Sequence, residues 1–423
     1  MNLKEKTMKN KNLKRNKIRM KEVKKQVKGI TLIALVVTII VLLILAGIAL
    51  NLTIGQNGIF ARAQNAVNVY EQATTNEQSE LGKAEGLIDE YLNGNGGNQG
   101  GGSGGGEYNT GTTVEEAKNQ NKPFENDTTI TDSCTPANSI RVPEGFKIAQ
   151  DSALTVEDGI VIEDSDENQF VWIPAKTEDE GGATINLSAG GTATIVYQRT
   201  AFTGEDITTV FTEAMPIDEE VSVNAWGGYY IGRFEAGDKE STETQTMRAS
   251  GASQTNTITI KSGQAPYNNI SQANAKTKAE GMDDEQEYAT ATTKLVSSYA
   301  WDTAISFIQI KNSDYGTNSP EGNYYDTTFT YTDITGTLQT KNNRSSVLVP
   351  TGQTTAVSNI YDMGGNLFEY TTESSSMYGP YVTRGGYYEN DYDITPAGER
   401  DYDNGNADSF NGFRVTLYCS PAS

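Results

Sequence analysis

The segment from residue 387 to residue 411 carries the residue types best suited to non-covalent recognition. It reads YYENDYDITPAGERDYDNGNADSFN and is rich in Tyr, Asn, Asp, Gly and Ser. Tyrosine offers a large contact area at little conformational cost, and Asn and Ser offer adaptable hydrogen bonds, which is the mixture found in antibody paratopes. We therefore predict a ligand surface that includes Tyr387, Tyr388, Asn390, Tyr392 and Tyr402. The alternative is a solvated acidic loop without a partner.

The chain lacks residues that most catalytic chemistry uses. It contains no His, which excludes His general bases, Ser-His-Asp triads and His-ligated zinc. Its two cysteines, Cys134 and Cys419, lie far apart in sequence, and they either form a bridge or remain two inert thiols. No spacing distinguishes a catalytic carboxylate pair among the acidic residues, and the glycine-rich stretch lacks the Lys of a phosphate-binding loop. The residues alone therefore identify no catalytic group.

An uninterrupted apolar segment determines where the rest of the chain lies. Residues 30–50 contain no charged residue, and a helix of that length crosses a hydrocarbon core of roughly 30 Å at about 1.5 Å per residue. Before it stand twelve Lys or Arg against two Glu, and such a positive flank holds the N-terminus in the cytoplasm. We predict a single-pass protein of the bacterial cell membrane, with its N-terminus inside and everything after residue 50 outside.

The formal charge of −22 hides two opposite parts. Without the twelve basic and two acidic residues of the leader, 21 basic and 53 acidic residues remain, which is a net charge of −32. A body of this charge repels nucleic acid and anionic surfaces and suits cations and cationic partners. We therefore expect no nucleic-acid partner.

Four segments are expected along the chain: a basic leader (1–29), a transmembrane and stalk helix (30–93), a glycine-rich linker (94–106) and a head (107–423). Apolar residues after the span recur at helical spacing, which predicts that the helix continues as a stalk. The linker reads GNGGNQGGGSGGG and has no side chains to bury, so it predicts a flexible tether.

The head is expected to be an α+β domain with much irregular loop. One helix is expected at residues 292–311, where Val296, Trp301 and Ile305 line one face. Short apolar runs bounded by Gly, Pro, Asp and Asn predict strands at 159–162, 170–174, 193–197, 228–234, 346–350 and 413–418.

The junction between the leader and the apolar segment places Gly29 before the residues ITLIAL, which begin at Ile30. It resembles the processing site of type IV pilins and pseudopilins. The resemblance implies cleavage after Gly29 by a prepilin peptidase, methylation of Ile30, and packing of the helix with other pilin-like subunits.

The family usually carries Glu at the fifth mature position, where this chain has Ala34. A buried amino terminus then lacks its carboxylate partner, which is costly, so we expect a minor or tip subunit. An uncleaved signal anchor is the alternative.

Six motifs of the head occur in this order: FVWIP at 170–174, GYYIGRFE at 228–235, the helix around Trp301, YDMGGNLFEY at 361–370, RGG at 384–386 and GFR at 412–414. Together they resemble the formylglycine-generating enzyme family, also called the sulfatase-modifying factor family, from about residue 140 to residue 418. The resemblance implies a variant of the C-type lectin fold, in which these motifs are mainly framework. In proteins of that fold the late loops form the ligand surface, including heads that retroelements diversify.

The same resemblance bears on catalysis. Enzymes of the family use two cysteines five residues apart shortly after the RGG motif, and the matching positions here are Asn390 and Thr395. Neither side chain forms a thiolate, a disulfide or a copper ligand. The resemblance therefore implies a non-catalytic relative.

The resemblance also implies a calcium site. The family holds Ca²⁺ near its Asn-x-Trp-Glu segment, and the matching oxygens would come from Asp362, Glu369 and the backbone at Gly365 and Leu367. Hard oxygen ligands suit Ca²⁺. The alternative is that these are polar positions beside a turn.

The expected function is that of a pilin-like cell-surface protein, a minor or tip subunit whose non-catalytic, lectin-like head binds an extracellular glycan or protein. One alternative is a membrane-tethered enzyme of the sulfatase-modifying factor family. The other is a purely structural surface protein.

Overall fold

The computed structural model describes residues 111–135, 137–241 and 246–421. The leader, the junction of Gly29 and Ile30, the predicted span and stalk, and the glycine-rich linker lie outside this part of the chain. None of the helices within the described residues has the length and apolarity needed to cross a bilayer.

Strands far outnumber helices in the described residues. The helices are α1 (Val114–Gln120), α2 (Ile217–Trp226), α3 (Gln272–Glu280), α4 (Met282–Glu285) and α5 (Ser298–Ile308). The strands are β1 (Thr128–Thr131), β2 (Ser139–Val142), β3 (Lys147–Ile148), β4 (Val161–Glu163), β5 (Gln169–Pro174), β6 (Ala183–Asn186), β7 (Thr192–Ile195), β8 (Phe211–Thr212), β9 (Gly228–Gly232), β10 (Gly237–Asp238), β11 (Ile258–Thr259), β12 (Ala291–Leu295), β13 (Phe329–Thr332), β14 (Leu338–Lys341), β15 (Phe368–Ser375), β16 (Tyr381–Arg384), β17 (Arg400–Asp403), β18 (Asn411–Phe413) and β19 (Val415–Cys419). The described head is therefore α+β, as expected, and mainly β.

Two sheets organise the head. The larger has the strand order β12-β19-β9-β5-β4-β3, and all its neighbours are antiparallel. The second has the order β17-β16-β15-β18, with β8 also paired to β15, and its β15–β18 pair is parallel. The remaining strands form two-stranded ribbons. The centre of the larger sheet is apolar, because β9 and β19 bury every residue and Trp172 of β5 is 1% exposed.

Helix α5 contacts β5 of the first sheet and β15 of the second. It begins after Ser297, whose side chain accepts a hydrogen bond from the backbone N–H of Ala300, as an N-cap does. Nine of its 11 residues are buried, which is typical of a helix enclosed on all sides. This helix therefore links the two sheets through the core.

The predicted helix at 292–311 is too long at its N-terminal end. Residues Ala291–Leu295 instead form β12, which pairs with β19 at the edge of the larger sheet. Their burial alternates along the strand, which is the period of a strand and not of a helix.

The strand predicted at 346–350 is wrong, and side chains explain why. The backbone N–H of Val349 donates to Asn366 Oδ1 at 3.1 Å, and the Val349 carbonyl accepts from Asn366 Nδ2 at 3.2 Å. The Val347 carbonyl accepts from Asn323 Nδ2 at 2.7 Å. Two asparagines therefore take the place of a neighbouring strand.

Candidate ligand-binding surface

Residues 385–399 form a loop that we call the clamped loop. Its ends are Arg384 of β16 and Arg400 of β17, which are partners across the two strands. Both guanidinium groups bind Asp302 of α5: Arg384 Nη2 donates to Oδ1 at 2.6 Å, and Arg400 Nη2 donates to Oδ2. All three residues are buried. One carboxylate of the enclosed helix therefore holds both ends of the loop.

A second carboxylate, that of Glu373 on β15, completes this buried frame. Its Oε2 accepts from Arg400 Nε at 2.8 Å, and its Oε1 accepts from Arg199 Nη2 at 2.6 Å. Burial alone would raise the pKa of Glu373, but the guanidinium groups of Arg400 and Arg384 outweigh it and lower the pKa below its usual value. Buried charges persist when they are paired and hydrogen-bonded, so the carboxylate of Glu373 stays ionised.

The clamped loop closes tightly at its start. Gly385 and Gly386 have φ angles of +93° and +71°, in the region that favours glycine. A Cβ on Gly386 would lie 2.5 Å from the carbonyl oxygen of Thr395, on the far side of the loop. The two glycines of the RGG motif thus allow the sides of the loop to approach each other.

Tyr387 and Tyr388 belong to an aromatic cluster with Phe368 and Phe410. The ring centroid of Tyr387 lies 5.2 Å from that of Phe368, 5.4 Å from that of Tyr388 and 5.5 Å from that of Phe410. Tyr388 is only 7% exposed and packs with Leu348, so it lies beneath the candidate ligand surface and is not part of its exposed face. Tyr387 is half-buried, so part of it is accessible to solvent.

Asn390 and Tyr392 attach the clamped loop to the segment around residue 325. The carbonyl of Asn390 accepts from the backbone N–H of Tyr325 at 2.7 Å, and the N–H of Tyr392 donates to Asp326 Oδ1 at 3.3 Å. The Tyr392 ring lies 6.3 Å from that of Tyr324. Both predicted residues are half-buried, so their side chains are partly available to a ligand.

The two positions that match the family's cysteines, Asn390 and Thr395, both lie in the clamped loop. The loop contains no thiol. The chain's own cysteines are free: Cys134 is exposed and Cys419 is buried, and burial raises the pKa of the Cys419 thiol. The bridge between them is therefore not formed in this structure.

Tyr402 lies apart from the other predicted residues. It is on β17 opposite Val382 and is 41% exposed. Its ring lies 5.3 Å from that of Tyr378, which is 83% exposed in the turn between β15 and β16. We call these two rings the exposed tyrosine pair. Because the clamped loop follows the other end of β16, the predicted residues form two groups rather than one.

Acidic side chains accompany both groups. Burial raises the pKa of Asp401 and of Asp408, and the neighbouring carboxylate of Asp403 raises both further. Beside the clamped loop, burial raises the pKa of Asp326, and the charges of Asp391 and Asp393 add to the shift. Each group thus combines aromatic surface with clustered negative charge.

The carboxylates of the expected calcium site already have protein partners. Asp362 Oδ2 accepts from the N–H of Gly352 at 2.6 Å, and its Oδ1 accepts from Thr354 Oγ1 at 2.9 Å. Glu369 Oε1 and Oε2 accept from Arg414 Nη2 and Nε at 2.6 and 2.9 Å. Burial raises the pKa of Glu369 to about 7, although the Arg414 charge opposes this.

The two backbone positions of that site are also enclosed. Gly365 donates its N–H to the Gly385 carbonyl at 2.7 Å, and Leu367 is fully buried. Within the described residues, no group of three or more Cys, Asp or Glu side chains is placed to hold a metal ion. The expected site combines only two carboxylates with backbone carbonyl oxygens, so the calcium site stays a prediction.

Sequence reasoning missed Tyr378, Asp302 and Arg400. Tyr378 precedes a Gly-Pro pair, a common turn signal, and an aromatic residue at such a turn is a sign of exposure. Asp302 is the one charged residue of α5, whose other residues are apolar, aromatic or small hydroxyl residues, and this indicates a buried partner of opposite charge. Arg400 has no comparable local signal, because its role depends on pairing with β16.

Comparisons with known proteins add little to this geometry. No family model matches the chain, and no curated protein matches it. Among solved structures, one described as the crystal structure of CarF has 14% identity and covers 51% of this chain and 95% of its own, with a TM-score of 0.29. Variable protein 1 of Treponema denticola has 13% identity and covers 60% of this chain and 96% of its own, also with a TM-score of 0.29. At these values the likeness assigns neither a family nor a function.

Proposed function

We propose that this chain is a pilin-like protein of the bacterial cell surface, a minor or tip subunit whose non-catalytic head recognises a ligand outside the cell. The observation that carries the recognition role is the clamped loop: a segment rich in Tyr, Asn and Asp whose two ends are tied to one buried carboxylate, Asp302. A surface held in place before binding loses less entropy when the ligand arrives. The pilin-like part of the proposal rests on the sequence at Gly29 and Ile30.

The head is proposed to be a C-type-lectin-like domain of the formylglycine-generating enzyme type. Contacts between the motifs support this. Asn366 of the YDMGGNLFEY motif donates to Glu235 of the GYYIGRFE motif, and Glu369 pairs with Arg414 of the GFR motif. The guanidinium carbon of Arg384 in the RGG motif lies 5.7 Å from the centre of the Trp301 ring. Segments far apart in sequence thus form one connected frame.

The absence of a thiol from the clamped loop supports a non-catalytic head. Asn390 and Thr395 stand where the enzymes of the family carry their cysteines. An amide and a hydroxyl do not perform thiolate or copper chemistry. The membrane-tethered enzyme is therefore the weaker candidate.

The charge of the surface defines the ligand class. Asp391, Asp393, Asp401 and Asp403 accompany the exposed aromatic rings, and the chain as a whole has a net charge of −22. Complementary charge steers association and suppresses wrong partners. We therefore expect a protein or glycan ligand with cationic groups, such as a protein with exposed Lys and Arg.

An array of proteins and glycans probed with the purified full-length chain tests this function. Replacing both rings of the exposed pair (Tyr378→Ala with Tyr402→Ala), or replacing Tyr387 by Ala, is expected to weaken binding of the strongest ligand at least tenfold. A tyrosine at the centre of an interface contributes on the order of 1–2 kcal/mol or more.

Leu338→Ala is the matched control, because Leu338 of β14 is 72% exposed and lies outside both groups. It should leave the affinity unchanged. The recognition role fails if no ligand binds, or if the tyrosine variants bind as well as the Leu338→Ala protein.

The mature N-terminus tests the pilin-like part separately. We expect Edman sequencing or mass spectrometry of the protein from its native cells to find methylated Ile30 at the start. A chain that retains its leader would instead mean an uncleaved anchor, and the minor-subunit proposal would be dropped.

A further inference from the structure

A cleft of about 480 Å³ opens in another part of the head, and it shares no lining residue with the clamped loop or the exposed tyrosine pair. We call it the polar cleft. Its volume falls within the range of about 300–1,000 Å³ that is usual for small-molecule sites. Nothing in the recognition role proposed above uses it.

Two aromatic rings and one guanidinium group form part of its lining. The ring centroids of Phe234 and Tyr361 lie 5.1 Å apart. The guanidinium carbon of Arg233 lies 5.5 Å from each of these two centroids. Tyr361 is half-buried, whereas Arg233 is 3% exposed. The cleft therefore contains a partly accessible aromatic ring beside a fixed cation.

Polar side chains line the rest of the cleft in a fixed arrangement. Glu163 of β4 and Gln169 of β5 are partners across the two strands. Gln169 Nε2 donates to Glu163 Oε2 at 2.7 Å, and its Oε1 accepts from Arg233 Nη1 at 2.7 Å. The Nε of Arg233 is buried and has no hydrogen-bond partner within the described residues. Since an unsatisfied buried donor is costly, the fold alone does not complete this network.

The charges of the cleft cancel locally. Its lining carries two cations and three carboxylates, and Lys147 supplies a third cation at its edge. The ion pairs are Arg233 with Asp151 at 2.8 Å, Lys261 with Glu167 at 3.4 Å, and Lys147 with Glu163 at 3.1 Å. A neutral patch of this kind is unusual on a chain whose net charge is −22.

We propose that the polar cleft binds a neutral saccharide. A charged ligand would have to compete with one of the ion pairs, whereas a hydroxyl group both donates to carboxylates and accepts from guanidinium or ammonium groups. The apolar C–H groups of a sugar ring suit the exposed part of the half-buried Tyr361 ring. A neutral, polyhydroxylated ligand therefore uses every kind of group in the lining without separating charges.

The test uses the full-length chain on an array of neutral oligosaccharides of hexose and N-acetylhexosamine, with sialylated and uronic acid oligosaccharides as the charged comparison. The strongest neutral oligosaccharide is then titrated calorimetrically against the variants Tyr361→Ala and Asp151→Asn. We expect Tyr361→Ala to bind about tenfold more weakly, because the stacking ring is lost, and Asp151→Asn to bind several-fold more weakly.

Two controls locate the effect. Asp166→Asn removes a carboxylate that is also exposed and also ion-paired, in its case with Lys239, but that lies outside the cleft, and this variant should bind normally. The protein that lacks both rings of the exposed tyrosine pair should also keep its saccharide affinity, which separates this site from the recognition surface.

Three results would overturn the proposal: no neutral saccharide binds, acidic saccharides bind more tightly, or both variants bind as well as the Asp166→Asn protein. If Tyr361→Ala fails to fold, Asp151→Asn decides alone, because the side chain of Asp151 is 63% exposed and the amide of Asn keeps an oxygen that accepts from Arg233.

Discussion

Glu219 shows how burial sets protonation in the core of the head. Its carboxylate accepts from Ser297 Oγ at 2.7 Å and from the Tyr197 hydroxyl. Burial raises its pKa to about 7, although these hydrogen bonds oppose the shift. In contrast with the Arg-bound Glu373, Glu219 has no cation among its hydrogen-bond partners in the described part of the chain, so burial favours the neutral acid.

The pH dependence of stability follows from this shift. The pKa of Glu219 in the folded protein lies above the value of 4.5 in the unfolded chain. The contribution of Glu219 to the free energy of unfolding is therefore complete below about pH 4.5 and is lost as the pH rises through about 7. We expect the free energy of unfolding in urea to be higher at pH 5 than at pH 8. Glu219 would supply on the order of 2–3 kcal/mol of the difference.

Glu219→Gln keeps the shape of the side chain but removes the titration, so its unfolding free energy should depend less on pH than that of the natural protein. Glu220→Gln makes the same chemical change at the next position of α2, which is less buried, and should keep the full pH dependence. Equal slopes for both variants would refute the assignment to Glu219.

At the scale of the elements, sequence patterns located the buried strands of the larger sheet. They did not reveal where hydrogen bonds from side chains take the place of a neighbouring strand. The run at 170–174 is read correctly, because the aromatic and β-branched residues of β5 suit a buried strand. The run at 346–350 also contains three consecutive apolar residues, yet Asn366 and Asn323 bind its backbone. No local pattern reveals a partner so far along the chain.

The same limit applies to the candidate surface. Composition identified the segment rich in tyrosine, but it could not tell that Tyr388 faces the core while Tyr402 joins Tyr378 in solvent. Which rings are exposed depends on the register of β16 with β15 and β17. That register depends on how three strands pair in the sheet, so the tyrosine-rich segment alone does not reveal it.

The joint between α5 and the clamped loop gives a prediction at this scale. Asp302→Asn would leave Arg384 and Arg400 buried side by side without their shared carboxylate, and breaking such a pair costs roughly 3–5 kcal/mol. Chemical denaturation should report this loss. Asp314→Asn, an exposed position shortly after the same helix, should change stability by no more than about 0.5 kcal/mol. If the two variants are equally stable, the clamp does not hold the loop.

At the scale of the whole molecule, the proposed order of parts is leader, membrane helix and stalk, glycine-rich tether and head. We propose that the linker, whose sequence carries no apolar side chain, acts as a flexible tether, so that a head of net negative charge reaches a partner in many orientations. On this proposal the rigid frame beneath the clamped loop belongs to the head alone and complements the tether.

The measurement that tests this account most directly is hydrogen–deuterium exchange of the full-length chain with and without the strongest ligand from the array. We predict that the ligand slows exchange in residues 376–380 and 385–403, which contain the exposed tyrosine pair and the clamped loop, and leaves β13 and β14 unchanged. Protection that appears elsewhere in the head while these two segments exchange as before would contradict the proposal that they form the recognition surface.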